Sequence, residues 1–294
     1  MKLYALGQVF EYEIEKENEI EKVETSIVIP AYNSEKFLSR AVISALTQDT
    51  SVGYEVIIVD DGGRERARDT LDSLVLKDPR ISLFRKENEG LIKAFNLGVL
   101  LSRGVYIIRL DADDELLPEA VEVITDYFRK NPKASYVYTD GYWVGPLQGW
   151  EWEKHSPVPL DKRKYVNPWI KREFNLETLF NEMYLGHARA YRKEAFIKVG
   201  GFDPRWKYSA EDWDLALKIS EIGEIHHIRK KLHKYYLQET GITKTVDQKK
   251  RYESRRKIII EALQRRKLNF SEIPESVRKQ FNLTEEDLNK KFKK

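Results

Sequence analysis

Three aspartates follow an apolar run near the middle of the chain, and their spacing could hold a metal ion. Residues 104–110 are rich in β-formers, which predicts a buried strand that ends in Asp111-Ala112-Asp113-Asp114. Successive side chains on an extended segment point to opposite sides, so we expect Asp111 and Asp113 to share one face. Two such carboxylates repel each other unless a cation lies between them, and a divalent metal that carries phosphate oxygens meets that need. The alternative is an acidic turn that caps a helix starting near Glu115.

A second acidic cluster, Glu211-Asp212, lies at the start of a predicted helix. Ser209 is a candidate cap for this helix, and Leu215 and Leu217 belong to its expected buried side. The helix dipole favours carboxylates in a first turn, which is a purely structural explanation for the cluster. A carboxylate held against an apolar side chain such as Trp213 has its pKa raised, which suits a general base.

The elements that must position these residues alternate between strand and helix. We predict strands that begin at Thr25, Glu55, Ile81 and Gly104, and helices at residues 35–48, at 65–76 and around Ala94, Leu97 and Leu101. Such alternation predicts an α/β fold with a parallel sheet flanked by helices, in which ligands bind outside the carboxyl ends of the strands. Polar clusters follow all four strands, so we expect them to converge on one site: Tyr32-Asn33, Asp60-Asp61, Asn88-Glu89-Gly90 and Asp111-Ala112-Asp113.

The polar residues at the strand ends suit a nucleoside diphosphate with its metal. Tyr32 offers a ring for base stacking, and Asp61 offers an acceptor for a base N–H group. The chain contains neither G-x-G-x-x-G nor G-x-x-x-x-G-K-[ST], so dinucleotide binding and P-loop hydrolysis lose support. An EF-hand also fails, because the sixth position from Asp111 is Leu116 rather than glycine. A surface tyrosine and an ordinary turn at Asp60-Asp61 remain the structural alternatives.

Composition limits the class of protein. The chain has 294 residues, no cysteine and a formal net charge of +3. The absence of cysteine excludes disulfides, thiolate metal sites and a cysteine nucleophile, and it fits a reducing compartment. The small net charge gives no support for nucleic-acid binding by the whole chain. Neither a run of 18 apolar residues nor a signal-peptide pattern occurs, so we expect a soluble, cytoplasmic protein.

Several motifs together resemble the family 2 glycosyltransferases of the GT-A fold. They are Pro30-Ala31-Tyr32-Asn33, Val59-Asp60-Asp61-Gly62-Gly63, Asn88 with Gly90, Asp111-Ala112-Asp113-Asp114, Gly200-Gly201-Phe202-Asp203 and Glu211-Asp212, in a region from Ser26 to Thr243. The resemblance implies a nucleoside-diphosphate sugar donor, with a UDP-sugar favoured, and a Mg²⁺ or Mn²⁺ ion. It also implies transfer of a hexosyl or N-acetylhexosaminyl unit, with inversion, to a hydroxyl of a glycan or lipid-linked acceptor.

The resemblance further implies roles for individual residues. The residues expected to contact the donor are Pro30, Ala31, Tyr32, Asn33, Asp60, Asp61, Asn88, Gly90, Lys93, Asp111 and Ala112. Asp113 and Asp111 are the expected metal ligands. Asp212 is the expected general base with Glu211 beside it, and the acceptor side is expected to include Trp213, His187 and Gly186. A lone histidine such as His187 also has an ordinary structural explanation.

Three positions depart from the family pattern. Gly63 stands where serine is common, and Phe95 stands where arginine is common, with Lys93 as a substitute for the missing charge. Gln238 occupies the place of a late metal-binding histidine, and an amide is a poorer transition-metal ligand than imidazole. These departures favour an alternative, a protein of this fold that binds a nucleotide sugar or glycan with weak or no turnover. Nucleotidyl transfer to a sugar phosphate is a second rival, which the absence of an early glycine-rich loop weakens.

The remaining segments are expected to frame the site. We predict that residues 1–24 form an accessory strand or hairpin and that residues 25–115 form the nucleotide-sugar half of the domain. Residues 116–245 are predicted to form the acceptor half, with further strands near 134–140 and 190–192. Residues 246–294 are predicted to form a basic helical extension. The aromatic residues of 141–175 either stack on sugar rings or pin a long loop to the domain. The basic amphipathic helix either packs on the domain or touches the inner face of an anionic membrane.

Overall fold

A mixed sheet runs through the structure, a computed structural model that describes residues 1–17, 22–63, 78–146, 165–206, 210–238 and 247–289. The strands are β1 (Lys2–Ala5), β2 (Gln8–Glu11), β3 (Glu13–Lys16), β4 (Thr25–Ala31), β5 (Tyr54–Asp60), β6 (Ile81–Arg85), β7 (Tyr106–Arg109), β8 (Glu115–Leu116), β9 (Ala134–Val144), β10 (Val166–Trp169), β11 (Arg189–Arg192) and β12 (Glu224–Tyr236). The α-helices are α1 (Leu38–Leu46), α2 (Leu91–Leu101), α3 (Ala120–Lys130), α4 (Leu176–Asn181), α5 (Lys193–Lys198), α6 (Glu211–Ile219), α7 (Gln248–Arg265), α8 (Glu275–Gln280) and α9 (Glu285–Asn289). The predicted helix at 65–76, the candidate cap Ser209 and two of the aromatic residues of 141–175, Trp150 and Trp152, lie outside the described residues.

The first half of the sheet is parallel, as predicted. Strand β4 lies between β5 and β7, and β6 lies on the outer side of β5. The register places Ala31 beside Asp60 and Asp60 beside Arg85, so three carboxyl ends meet at one edge. Neighbouring residues of β4 enter two different buried clusters, with Val28 in one and Ile27 in the other. Burial on both faces explains why these strands are continuous apolar runs.

The second half of the sheet mixes strand directions. Antiparallel β11 lies between β7 and β9, β12 runs parallel to β9, and the two-residue strand β8 pairs with β12. The register of β11 on β7 places Arg189 beside Arg109, and both side chains are buried. The inserted strand therefore brings together two cations that are far apart in the sequence.

Both ends of the described chain pack against this sheet. Strands β1 and β2 form the expected hairpin, and β3 adds an antiparallel edge to β6. Helix α7 buries Ile258, Ile259 and Leu263 in the same apolar cluster as Trp213, so its apolar side faces the domain. Within the described ranges, no helix is both long enough and apolar enough to span a bilayer.

The segment after β7 differs from the prediction in two respects. Residues 111–114 form a turn rather than an extended segment, because Asp114 N donates to Asp111 O at 3.0 Å. No helix begins at Glu115, because Glu115–Leu116 pairs with β12 and uses its backbone groups there. Helix α3 begins only at Ala120, beyond Pro118.

Candidate active site

The acidic turn directs one carboxylate into the protein. Asp114 is fully buried, where its side chain accepts from Tyr236 N at 3.0 Å and is hydrogen-bonded to His233 Nε2 at 2.9 Å. Burial and the charge of Asp111 raise the pKa of Asp114 well above its ordinary value. These two hydrogen bonds to residues of β12 direct the Asp114 side chain into the protein. The local sequence around Asp114 could not predict this orientation, because both partners lie on a distant strand.

Asp111 and Asp113 lie at the edge of the site and are half-buried. Asp111 Oδ1 accepts from Arg109 Nε at 2.8 Å. Burial and the charges of Asp114 and Asp111 raise the pKa of Asp113 to about 7. Among the described residues, no side chain donates a hydrogen bond to the Asp113 carboxylate. This set of hard oxygen ligands fits Mg²⁺ or Mn²⁺, because a bound cation would relieve the repulsion.

Two histidines that were not assigned as metal ligands lie behind this turn. One ligand atom from each of Asp114, His187 and His233 lies within 4.8 Å of the others, a spacing compatible with a metal ion. His187 fits that use poorly: its Nε2 faces Arg189 Nη2 at 2.8 Å, and arginine only donates, so Nδ1 carries the proton. Burial lowers the pKa of His233 to about 3 and that of His187 well below its usual value, so both rings are neutral.

His233 has the arrangement that supports a metal ligand. Its Nε2 is bonded to a carboxylate, and its Nδ1 has no hydrogen-bond partner in the described structure. A histidine that contacts a carboxylate through one nitrogen and offers the other is the usual arrangement beside a bound metal. Gln238, the predicted substitute, is half-buried two residues beyond β12.

The predicted donor residues gather at the carboxyl edge of β4 and β5. Pro30 and Ala31 end β4, and Tyr32 next to them is 54% exposed, as a base-stacking ring requires. Asn33, two residues beyond the end of β4, has a φ of 47°, in the left-handed region. Gly62 has a φ of 74°, and a Cβ there would lie 2.7 Å from Asn88 N, so the loops after β5 and β6 touch.

Asp61 is buried and already has several donors. Its Oδ1 accepts from Lys86 Nζ at 2.8 Å and from Glu89 N at 3.1 Å, and its Oδ2 accepts from Gly90 N at 2.8 Å. A base N–H would have to share Oδ2 with Gly90. The neighbouring Asp60 accepts from Gly63 N at 2.9 Å, and Lys93 is paired with Glu89. Lys86, a partner that the sequence analysis did not identify, therefore fixes the centre of this loop.

The acidic pair at the start of α6 faces two buried arginines. Asp212 Oδ2 accepts from Arg189 Nη1 at 2.8 Å, and its Oδ1 accepts from Trp213 N at 2.8 Å. Glu211 Oε1 lies 3.9 Å from Arg109 Nη1. Burial and the charge of Asp212 raise the pKa of Glu211 to about 6. Arg109 thus contacts both Asp111 and Glu211, which joins the two acidic motifs in one site.

The predicted acceptor residues are divided between the core and the site. Trp213 is 2% exposed, and its Nε1 donates to Leu179 O at 2.5 Å, so its ring lies in the core. His187 Nδ1 lies 3.5 Å from Asp111 Oδ2, inside the site. The Trp169 ring stacks on Trp143 at 3.9 Å, which is the loop-pinning arrangement.

Comparison with solved structures identifies the fold. The chain is similar to S. aureus TarS in complex with UDP, with a TM-score of 0.65 and 19% identity over 88% of this chain and 71% of that one. It is also similar to the mannosyltransferase PcManGT from Pyrobaculum calidifontis in complex with GDP-Man and Mn²⁺, with a TM-score of 0.55 and 13% identity over 91% of this chain and 72% of that one. The chain has the GT-A type fold that was predicted.

Sequence comparison identifies the family. The model for glycosyl transferase family 2 matches residues 26–200, which is more than half of the chain, and the protein belongs to this family. It is 34% identical over 229 residues to a hyaluronan synthase of Pasteurella multocida, covering 77% of this chain and 22% of that one. It is 34% identical over 242 residues to a chondroitin synthase of Escherichia coli, covering 82% and 32% respectively. The chain thus spans less than a third of the length of these two relatives.

Proposed function

We propose that the protein is an inverting glycosyltransferase that moves a sugar from a nucleoside-diphosphate sugar to a hydroxyl of a glycan or lipid-linked acceptor. The observation that carries the proposal is the contact of Arg109 with both Asp111 and Glu211, which unites a donor motif and a base motif. The relatives named hyaluronan and chondroitin synthase support transfer of a hexosyl or N-acetylhexosaminyl unit. The UDP and UDP-GlcNAc complexes of TarS favour a UDP-sugar as donor.

The donor is assigned to the carboxyl edge of the parallel strands. In this proposal Tyr32 stacks on the base, Asp61 accepts from it, and Asp111 and Ala112 lie along the ribose. Pro30, Ala31, Asn33, Asp60, Asn88, Gly90 and Lys93 complete the donor site. Asp113 and Asp111 would hold Mg²⁺ or Mn²⁺, an assignment supported by the repulsion among the carboxylates of the turn and by the Mn²⁺ complex of the mannosyltransferase. When bound, the ion neutralises the diphosphate as negative charge grows on it.

The transfer is a single displacement. The acceptor oxygen attacks C1 of the donor sugar, its proton passes to Asp212, and the electron pair of the breaking C1–O bond goes to the diphosphate. Arg189 orients the Asp212 carboxylate, and Glu211 lies beside it to position the acceptor hydroxyl. An α-linked donor gives a β-linked product.

A second candidate is a nucleotide-sugar or glycan-binding protein with weak turnover. One observation favours it: both carboxylate oxygens of Asp61 already accept hydrogen bonds within the chain, so a base N–H would have to share an acceptor there.

Nucleoside diphosphate release separates the two candidates. UDP-, GDP- and dTDP-sugars are incubated with Mn²⁺ or Mg²⁺ and candidate acceptors, using wild type, Asp113→Ala and Asp212→Asn. Asp126→Asn, which changes an exposed aspartate on α3, serves as the control. Release that requires metal and is lost in both site variants supports the proposal, and NMR of the product anomeric carbon tests inversion. Donor binding without release under any condition would favour the binding protein.

A further inference from the structure

Lys171, which follows β10, is a buried cation with no hydrogen-bonding partner for its side chain. The residue is 6% exposed, and among the described residues no atom accepts a hydrogen bond from its Nζ. The ammonium lies over the Trp169 ring, 2.6 Å from the ring centre. It also lies against Gly186, where an added Cβ would be 1.8 Å from Nζ. The glycine therefore leaves space that the lysine side chain occupies.

The charge around Lys171 makes its position unfavourable in the free protein. Burial and the charge of Arg189 lower the pKa of Lys171 well below its ordinary value, and Asp140 opposes this only in part. Asp140 Oδ1 is already engaged by Lys171 N at 2.7 Å and by His227 Nε2 at 2.9 Å. Fully buried lysines are rare unless they are paired, and an unpaired one is a reason to look for a ligand.

The neighbours of Lys171 belong to the candidate active site. The Nζ of Lys171 lies against Gly186, the residue before His187, and the centre of the Trp169 ring beneath it is 6.3 Å from the centre of the His187 ring. Arg189, the nearby cation, donates to Asp212. A lysine side chain has four rotatable carbon–carbon bonds, so Nζ can leave the Trp169 face without a change in the backbone.

We infer that Lys171 and Arg189 form a subsite for an anionic oxygen of a substrate, either a phosphate of the donor or a carboxylate of the acceptor. The inference rests on the proposed function and adds two buried cations to it, since Lys93, the cation assigned to the donor site, is paired with Glu89. An anion between these two cations would provide the partner that Lys171 lacks and offset the repulsion between them.

Stability and binding together distinguish a substrate-binding lysine from a structural one. Replacing a structural lysine lowers the melting temperature, whereas replacing an unpaired buried cation with methionine leaves it unchanged or raises it. We expect the second result for Lys171→Met in the ligand-free protein. Lys130→Met, which removes the same charge from an exposed position on α3, is the control.

Calorimetric titrations then identify the source of the anion. Wild type, Lys171→Met and Lys171→Arg are titrated with UDP and uridine in the presence of Mn²⁺, and with oligosaccharides ending in glucuronate or glucose in the presence of UDP. A loss of at least tenfold in UDP affinity, with uridine unaffected, assigns the subsite to a donor phosphate. A similar loss for the glucuronate oligosaccharide alone assigns it to an acceptor carboxylate. In either case Lys171→Arg should retain most of the affinity.

Three further outcomes count against the inference, and they are distinguishable. If the wild type binds UDP but Lys171→Met binds every ligand as the wild type does, the subsite is refuted and the proposed function stands. If the wild type binds no nucleotide, the proposed function fails and the inference fails with it. A lower melting temperature for Lys171→Met with unchanged affinities would show a structural lysine.

Discussion

Replacing His227 with glutamine should destabilise the protein at acidic pH and much less at alkaline pH. The ring of His227 lies between two carboxylates, with Nε2 2.9 Å from Asp140 Oδ1 and Nδ1 2.9 Å from Glu173 Oε1. Only the protonated imidazole can donate from both nitrogens. Burial disfavours the charged ring, but the hydrogen bonds to Asp140 and Glu173 outweigh burial and raise the pKa of His227.

The direction of the pH dependence follows from this raised pKa. The folded protein holds the proton more tightly than the unfolded chain, so the stabilisation is complete below the unfolded pKa of about 6.5. It is lost as the pH rises through the folded pKa. A charged hydrogen bond to the buried Asp140 contributes about 1.5–3 kcal/mol, whereas Glu173 is 57% exposed and contributes less than about 1 kcal/mol. We therefore expect a loss of about 2 kcal/mol near pH 5.5 and less than half of that near pH 8.5.

Urea unfolding followed by circular dichroism at the two pH values measures this difference. His226→Gln is the matched control, because His226 is the preceding residue of β12 and pairs with the exposed Glu224. Asp140→Asn should remove most of the pH dependence of the His227→Gln effect, since it takes away the buried carboxylate. An equal loss of stability at both pH values would refute the reasoning, because it would show that the neutral ring contributes as much as the charged one.

Three other substitutions test separate parts of the structure. Lys218→Met should lower the free energy of unfolding in urea by about 3–5 kcal/mol, because the fully buried Asp214 loses the ammonium group that lies 2.5 Å from it. Adding Asp214→Asn to this variant should restore part of the lost stability. Gly98→Ala should lower the free energy of unfolding by about 1–3 kcal/mol, because the new Cβ would lie 2.5 Å from Val28 Cγ1. Adding Val28→Ala removes the overlapping atom, so the double variant should lose less stability than the sum of the two single variants. Arg109→Met should lower the rate of sugar transfer by about 10²–10³-fold, because the Arg109 side chain contacts both acidic motifs. Wild-type kinetics in this variant would show that Arg109 has no role in the transfer.

The carboxyl edge of the parallel strands could be predicted because topology determines it. Parallel strands joined by helices bring their carboxyl ends to one edge, whatever the side chains in between. That rule accounts for the proximity of the loops that carry Tyr32 and Asp61, and the observed pairing of Ala31 with Asp60 agrees with it. Apolar runs long enough to be buried on both faces made these strands recognisable in the sequence.

The partners of the acidic residues could not be predicted in the same way. Arg109 and Arg189 are 80 positions apart, and they become neighbours only because β11 inserts antiparallel between β7 and β9. The inward direction of Asp114 depends on His233, which lies on a strand more than a hundred residues later. One local signal was available: Arg109 is a charged residue at the end of an apolar strand, and such a residue requires a buried partner.

Most of the acidic residues in the candidate active site already have a basic partner within the chain. Asp61 is paired with Lys86, Asp111 with Arg109, and Asp212 with Arg189, while Asp114 is bonded to His233. Asp113 differs from these carboxylates, because no described side chain donates a hydrogen bond to its carboxylate, although its raised pKa of about 7 is a property that it shares in direction with Asp114. The charge of Arg40 offsets this rise only in part, and a bound cation would favour the charged carboxylate further. The missing side-chain donor supports the proposal that Asp113 is a metal ligand, which is the role that the family resemblance implies.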